Sequence, residues 1–216
     1  TRQSIESLNK KYEQTGRCVF YLFHRNREWN KKEKKWIGYE RKRGKLAALN
    51  TFLRNQNNNA FSVISGDLKT LPFIKYIITL DADTQLPRET AAKLISSMAH
   101  PLSMPVYDNH KKRIVHGYGI LQPRVSASLP RGNSSWYAKI HSNDSGLDPY
   151  TRITSDVYQD LFGEGSFIGK GIYDIDAFEM VLGSRFPENR VLSHDLLEGS
   201  YLRCGLVTDV QLYEDY

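Results

Sequence analysis

Residues 76–86 run YIITLDADTQL, an apolar stretch rich in β-branched residues that ends on two carboxylates one residue apart. Ile, Thr and Tyr favour extended backbone, and a short continuous run of them has the pattern of a buried strand. The next residues, PRETAAKLISSMAH, predict a helix over 87–100, with Pro87 in its first turn and Pro101 just past its end. An apolar strand that hands its acids to a sheet edge and turns at once into a helix directs the chain towards a layered α/β architecture. In such sheets ligands bind beyond the carboxyl ends of the strands.

The rest of the chain alternates in the same way. Residues 1–15 predict a helix, 17–25 a short strand, and 26–43, with no clear apolar period, a charged loop. A helix follows over 44–55 with Leu46, Leu49 and Leu53 on one face, and a strand over 113–125 interrupted at Gly117 and Gly119. Residues 126–152, rich in Ser, Gly, Pro and Asn, predict irregular structure. VYQDLFG is a short helix, GSFIGKGIYDI contains a strand or hairpin, IDAFEMVLG and HDLLEGSYLRCG are helices, and LVTDVQLYE is a final strand. No repeat or linker divides the chain, so residues 1–216 are expected to form a single domain. No apolar run approaches the 18 residues of a membrane span, and no charged-then-apolar leader opens the chain. Cys18 and Cys204 lack metal-type spacing and are expected to be free thiols.

Charge is unevenly spread. Residues 1–54 hold 15 Lys and Arg against 5 acids, and residues 141–216 hold 5 against 14. A basic front suits phosphates, and an acidic back suits cations or sugar hydroxyls. The basic half also interleaves its charge with Trp29, Trp36 and Tyr39, a composition shared with nucleic-acid-binding surfaces.

Three stretches carry candidate chemistry. Strand alternation places Asp81 and Asp83 on one side, where two like charges need a cation or hydrogen bonds to offset them. Mg²⁺ or Mn²⁺ would do so and leave positions open for phosphate oxygens; the structural alternative has Asp81 capping the turn and Asp83 solvated. A phosphatase signature that also begins with an apolar strand and D-x-D requires Thr or Val at position 85, where this chain has Gln85. The glycine-rich LFGEGSFIGKGIYD (161–174) is not a P-loop, because Glu164 stands where Gly is needed and Gly171 where Ser or Thr is needed. Its glycines would let backbone approach a ligand or form a tight hairpin. In VLSHDLLEGSYL, Asp195 and Glu198 have the spacing of a capping box. A carboxylate at a helix N-terminus also stays ionised and can accept a proton, so Asp195 reads equally as cap or as base.

KRGKLAALN, YIITLDADTQLPRETAAKLISSMAHPL, YGILQPRVSASLP, DVYQDLFGEGSFIGKGIYDIDAF and PENRVLSHDLLEG together resemble the glycosyltransferase region of cyclic β-1,2-glucan synthases, over roughly residues 20–215. A more distant likeness links the chain to osmoregulated periplasmic glucan and cellulose synthase glycosyltransferases. The resemblance implies a Rossmann-like, GT-A-type nucleotide-diphospho-sugar transferase sheet with helices on both faces, truncated at both ends. A uracil-binding strand would precede residue 1, and a Q-x-x-R-W motif would follow Tyr216. It further implies an inverting glucosyltransferase that takes UDP-glucose as donor and a growing β-1,2-glucan as acceptor. Asp81 and Asp83 match the D-x-D that binds a divalent cation, Mg²⁺ or Mn²⁺, and the donor diphosphate. Asp195 matches the catalytic base. Lys45, with Arg43 beside it, matches the N-terminal donor-binding motif. Gly163, Glu164, Gly165, Lys170 and His194 fall where relatives line the acceptor groove, and Trp136, Tyr137 and Phe167 are candidates to stack on sugars or to pack. The same resemblance makes the chain a cytoplasm-facing part of a larger bacterial inner-membrane polypeptide, with no nucleic-acid partner. A D-x-D phosphohydrolase using Asp81 as nucleophile, and a non-catalytic basic module binding nucleic acid or anionic lipid through residues 25–45, are the rival readings.

Overall fold

The structure, a computed structural model, describes residues 2–12, 19–55, 59–127, 157–183, 185–187, 191 and 194–214. Cys18, Trp136 and Tyr137 lie outside them, as does nearly all of the 126–152 segment. The chain divides into two compact units, Thr1–Ile74 with Phe186–Leu192 and Lys75–Arg185 with Ser193–Tyr216.

In the first unit, helix α1 (Arg2–Tyr12) is tied to the chain that follows by Asn9, whose side chain accepts from the N–H groups of Val19 and Phe20 and donates to the Phe20 carbonyl. Strand β1 (Leu22–His24) pairs antiparallel with β4 (Val63–Ser65). Phe23 of β1 meets Phe52 and Phe61 at ring-centroid distances of 5.4 and 5.2 Å, a small aromatic core under helix α2 (Arg41–Asn55). Helix α2 buries Phe52 and Leu53, while Leu46 and Leu49 of the expected apolar stripe are only half-buried. The expected loop at 26–43 is instead a hairpin, β2 (Glu28–Asn30) against β3 (Lys35–Ile37). Its strands are too short to show a period in sequence. What holds it is local: Trp29 sits opposite Trp36 with ring centroids 6.0 Å apart, and the Asn30 side chain caps the turn by accepting from Lys32 and Glu33. A short 3₁₀ helix over Leu68–Phe73 completes the unit.

The second unit is built on a five-stranded sheet: β5 (Tyr76–Thr79), β10 (Gly171–Asp174), β9 (Ile120–Ala127), β11 (Cys204–Glu214) and β6 (Thr84–Gln85), in that order. Only β9 and β11 run parallel; the other neighbours are antiparallel. Beside it, β7 (Val106–Asp108) and β8 (Arg113–His116) form a hairpin whose turn is capped by Asp108. The expected break in the 113–125 strand is real: Gly117 has φ +64°, and a Cβ there would lie 1.9 Å from the Met104 carbonyl oxygen. Helix α3 (Thr90–Ala99) lays Leu94 and Met98 on Leu121, Ile172 and Val210 of the sheet. It begins three residues later than Pro87 suggested, because the Pro87 carbonyl accepts the Thr90 N–H in a preceding turn. Helices α4 (Val157–Phe162), α5 (Ile175–Leu182) and α6 (Asp195–Leu202) follow the segments expected from sequence. This is a mixed α/β unit.

Register brings one end of the sheet to a point. Gly171 opens β10 opposite Thr79, so Lys170 stands beside the exit of β5 that leads to Asp81. Strand β11 runs parallel to β9, and Thr208–Val210 slip out of register between Val207 and Gln211. Such an irregularity bends the strand. The far end of β11 then pairs with β6, placing Glu214 opposite Thr84.

Candidate active site

Asp81 and Asp83 occupy the turn between β5 and β6. That turn is closed locally, since the Thr84 N–H donates to the Asp81 carbonyl and the Asp81 N–H to Thr84 Oγ1. Thr84 Oγ1 lies 3.4 Å from Glu214 Oε1, which ties the turn to the end of β11. Oxygens from Asp81, Asp83 and Glu214 all lie within 4.8 Å of one another. Glu214 is buried, whereas the two aspartates are exposed to solvent.

Lys170 reaches into this group. Its ammonium lies 3.4 Å from Asp81 Oδ2 and is ion-paired with Glu214 Oε1. Burial favours the neutral amine, but the hydrogen bond and charge of Glu214, and then Asp81, outweigh it, holding the Lys170 pKa above its ordinary value. Three carboxylates against one ammonium leave a formal excess of two negative charges. The donors are all oxygen, and oxygens this close can converge on one small ion. That set suits a hard divalent cation such as Mg²⁺ or Mn²⁺ rather than a metal that prefers nitrogen or sulfur.

Asp195 lies against the residue that precedes Lys170. Gly169, next to Lys170, has φ +84°, and a Cβ placed on it would lie 3.1 Å from both carboxylate oxygens of Asp195. Gly199, one turn along α6 on the same face, is packed so closely on Phe167 that an added Cβ would lie 2.9 Å from the Phe167 Cβ. Two glycines thus seat α6 along residues 167–169 with the Asp195 carboxylate at the loop. Gln122, fully buried on β9, accepts the Ile168 N–H at 3.0 Å through Oε1 and donates to the Pro123 carbonyl, fixing the loop from beneath. Of the two readings left open for Asp195, that of a helix cap is not met: His194 occupies the N-cap with no side-chain cap bond, and Asp195 is the first helical residue. The His194 carbonyl takes the Glu198 N–H at 2.8 Å.

The remaining sequence candidates fall in two further places. Glu164 pairs with Arg113 and lies 3.9 Å from Arg203 Nε, while Arg203 also holds the Gly117 carbonyl at 2.7 Å. Gly163 and Gly165 flank it, the latter donating to the Cys204 carbonyl at 2.6 Å. This segment is bound to the start of β11, and Phe167 and His194 are both buried. Lys45 and Arg43 belong to the first unit. Lys45 lines a cavity of about 530 Å³ ringed by Arg25, Arg27, Arg41 and Lys42 over a floor that includes Phe23, Leu46 and Phe61. Arg43 instead lies over the Phe186 ring, 5.0 Å from its centroid, and 3.6 Å from Glu40. The sequence reading missed Glu214 and Gln122. Glu214 had a signal: LYE repeats at the end of the last strand the apolar-strand-then-acid pattern of ITLD.

What fold and site define is a mixed α/β unit whose sheet ends on three carboxylates and a lysine. No protein-family model matches the chain. Along all 216 residues it is 47% identical to the cyclic β-(1,2)-glucan synthase NdvB of Rhizobium meliloti (strain 1021), spanning 8% of that protein's length. The chain is therefore homologous to one segment of a cyclic β-glucan synthase. No helix among the described residues is long and apolar enough to cross a membrane.

Proposed function

We propose that this chain is the glucosyl-transferring segment of a cyclic β-1,2-glucan synthase, using UDP-glucose as donor and a glucan hydroxyl as acceptor. The observation that carries the reading is the approach of the Asp195 carboxylate to the loop whose next residue, Lys170, pairs with Asp81 and Glu214. The whole-length identity to a glucan synthase supports the reaction class.

Asp81 and Asp83, with Glu214, would hold the divalent cation. When bound, that ion offsets the charge that develops on the diphosphate leaving group. Asp195 accepts the proton of the acceptor 2-hydroxyl as its oxygen bonds to the anomeric carbon from the face opposite the diphosphate. The bond from that carbon to the phosphate oxygen breaks, and its electron pair leaves with UDP. A single displacement of this kind turns an α-configured donor into a β-linkage. The resemblance assigns Lys45 and Arg43 to phosphate binding, and within the first unit the basic ring around Lys45 suits a phosphate, whereas Arg43 is engaged by Glu40 and the Phe186 ring.

Asp195→Asn in the full-length synthase tests the assignment. Glucan synthesis should be abolished with UDP-glucose binding retained, and persisting synthesis would remove Asp195 as the base. Phosphate release that depends on Asp81 would favour the phosphohydrolase alternative.

A further inference from the structure

We propose that Lys170 is a resident counter-ion of the acidic edge, which a divalent cation must displace from Asp81 and Glu214 in order to bind. The inference rests on the reading of Asp81 and Asp83 as metal ligands and adds a competitor from the protein itself.

The geometry leaves little choice. The ammonium touches Glu214 Oε1 and lies 3.4 Å from Asp81 Oδ2. A small divalent ion shared by these carboxylates would sit about 2.1 Å from each ligand oxygen. That position falls within contact distance of the ammonium, and two cations so close repel each other. Only 14% of the Lys170 side chain is exposed, so the ammonium is enclosed where it stands rather than trailing in solvent. Without it, Glu214 would be a buried carboxylate beside two more acids, an arrangement that costs stability unless a cation is present. Lys170 thus supplies a cation to the metal-free edge. It also sets a threshold for metal entry, because every binding event must break its two ion pairs.

The test is calorimetric titration of Mn²⁺ alone, without nucleotide, into the full-length synthase and its variants. Lys170→Met keeps the length of the side chain and removes the charge; it should bind Mn²⁺ on the order of tenfold more tightly than the unaltered protein. Lys170→Gln repeats the measurement should the Met variant fold poorly, as judged by circular dichroism. Lys170→Arg, which keeps the charge, should bind no more tightly than the unaltered protein. Equal or weaker Mn²⁺ binding by the uncharged variants would overturn the proposal, as would an Arg variant that gained as much as Met. Asp83→Asn separates the two layers. Loss of Mn²⁺ binding there, with no gain in Lys170→Met, sinks the counter-ion alone. Unchanged binding in Asp83→Asn sinks the metal reading with it.

Discussion

Gly169→Ala is the substitution for which the structure gives the sharpest expectation. Two separate costs fall on one methyl group. The backbone at φ +84° is left-handed, and a residue with a Cβ loses about 1–2 kcal/mol there. The new Cβ would also stand 3.1 Å from each Asp195 oxygen and 3.2 Å from its Cγ. Ordinary van der Waals contact begins a few tenths of an ångström further out, so the carboxylate must give way by about that amount. Together these predict a destabilisation of roughly 2–3 kcal/mol. Because the displaced group is the proposed base, glucan formation should fall by about ten- to a hundredfold even where the protein remains folded. Urea unfolding and initial rates of glucose incorporation, both on the full-length synthase, measure the two effects separately. Gly171→Ala is the comparison, since its Cβ would meet the Leu121 carbonyl at 2.3 Å and not Asp195. Gly169→Ala with the full turnover rate would refute the placement of Asp195 at the reacting centre, whatever its stability.

Other expectations follow from the same unit. Gln122→Leu should cost about 1–3 kcal/mol by leaving the Ile168 N–H without its acceptor, read as a lower urea midpoint. Glu164→Gln should destabilise by up to about 1 kcal/mol through loss of its charge against Arg113 and Arg203; an unchanged midpoint would show that pair to be idle. Burial pushes the Cys204 thiol far above its ordinary value of 9.0. The folded state then keeps a proton that the unfolded state releases, so its stability is whole below about pH 9 and falls by up to about 1.4 kcal/mol per pH unit above it. Cys204→Ala should remove that slope, and Cys204 in the native protein should resist thiol reagents at pH 8, read by mapping the labelled cysteine.

Much of the second unit was legible because its signals are local. The apolar run at 76–79, the glycine break at 117–119 and the final strand each declare themselves within a dozen residues. The convergence of Asp81, Lys170 and Glu214 was not legible, because it depends on the antiparallel register of β10 on β5 and on the bend in β11. Lys170 read as one more residue of a glycine-rich loop, and nothing in its neighbours names partners 89 residues before it and 44 after it. Asp195 stood out for opening a helix and for the resemblance, and of the cap and base readings left open for it, the N-cap is taken by His194. Its helix packs Gly199 on Phe167, a contact between segments that sequence spacing cannot show. The hairpin at 28–37 was missed for the opposite reason, its strands being too short for a period to emerge.

The account turns on whether the acidic edge recruits the sugar nucleotide through a cation. Calorimetric titration of UDP-glucose into the full-length synthase, with and without Mn²⁺, measures this directly. Binding should need the ion, and Asp83→Asn or Glu214→Gln should abolish the difference between the two titrations. Equal UDP-glucose affinity with and without Mn²⁺, unaltered in both variants, would contradict it.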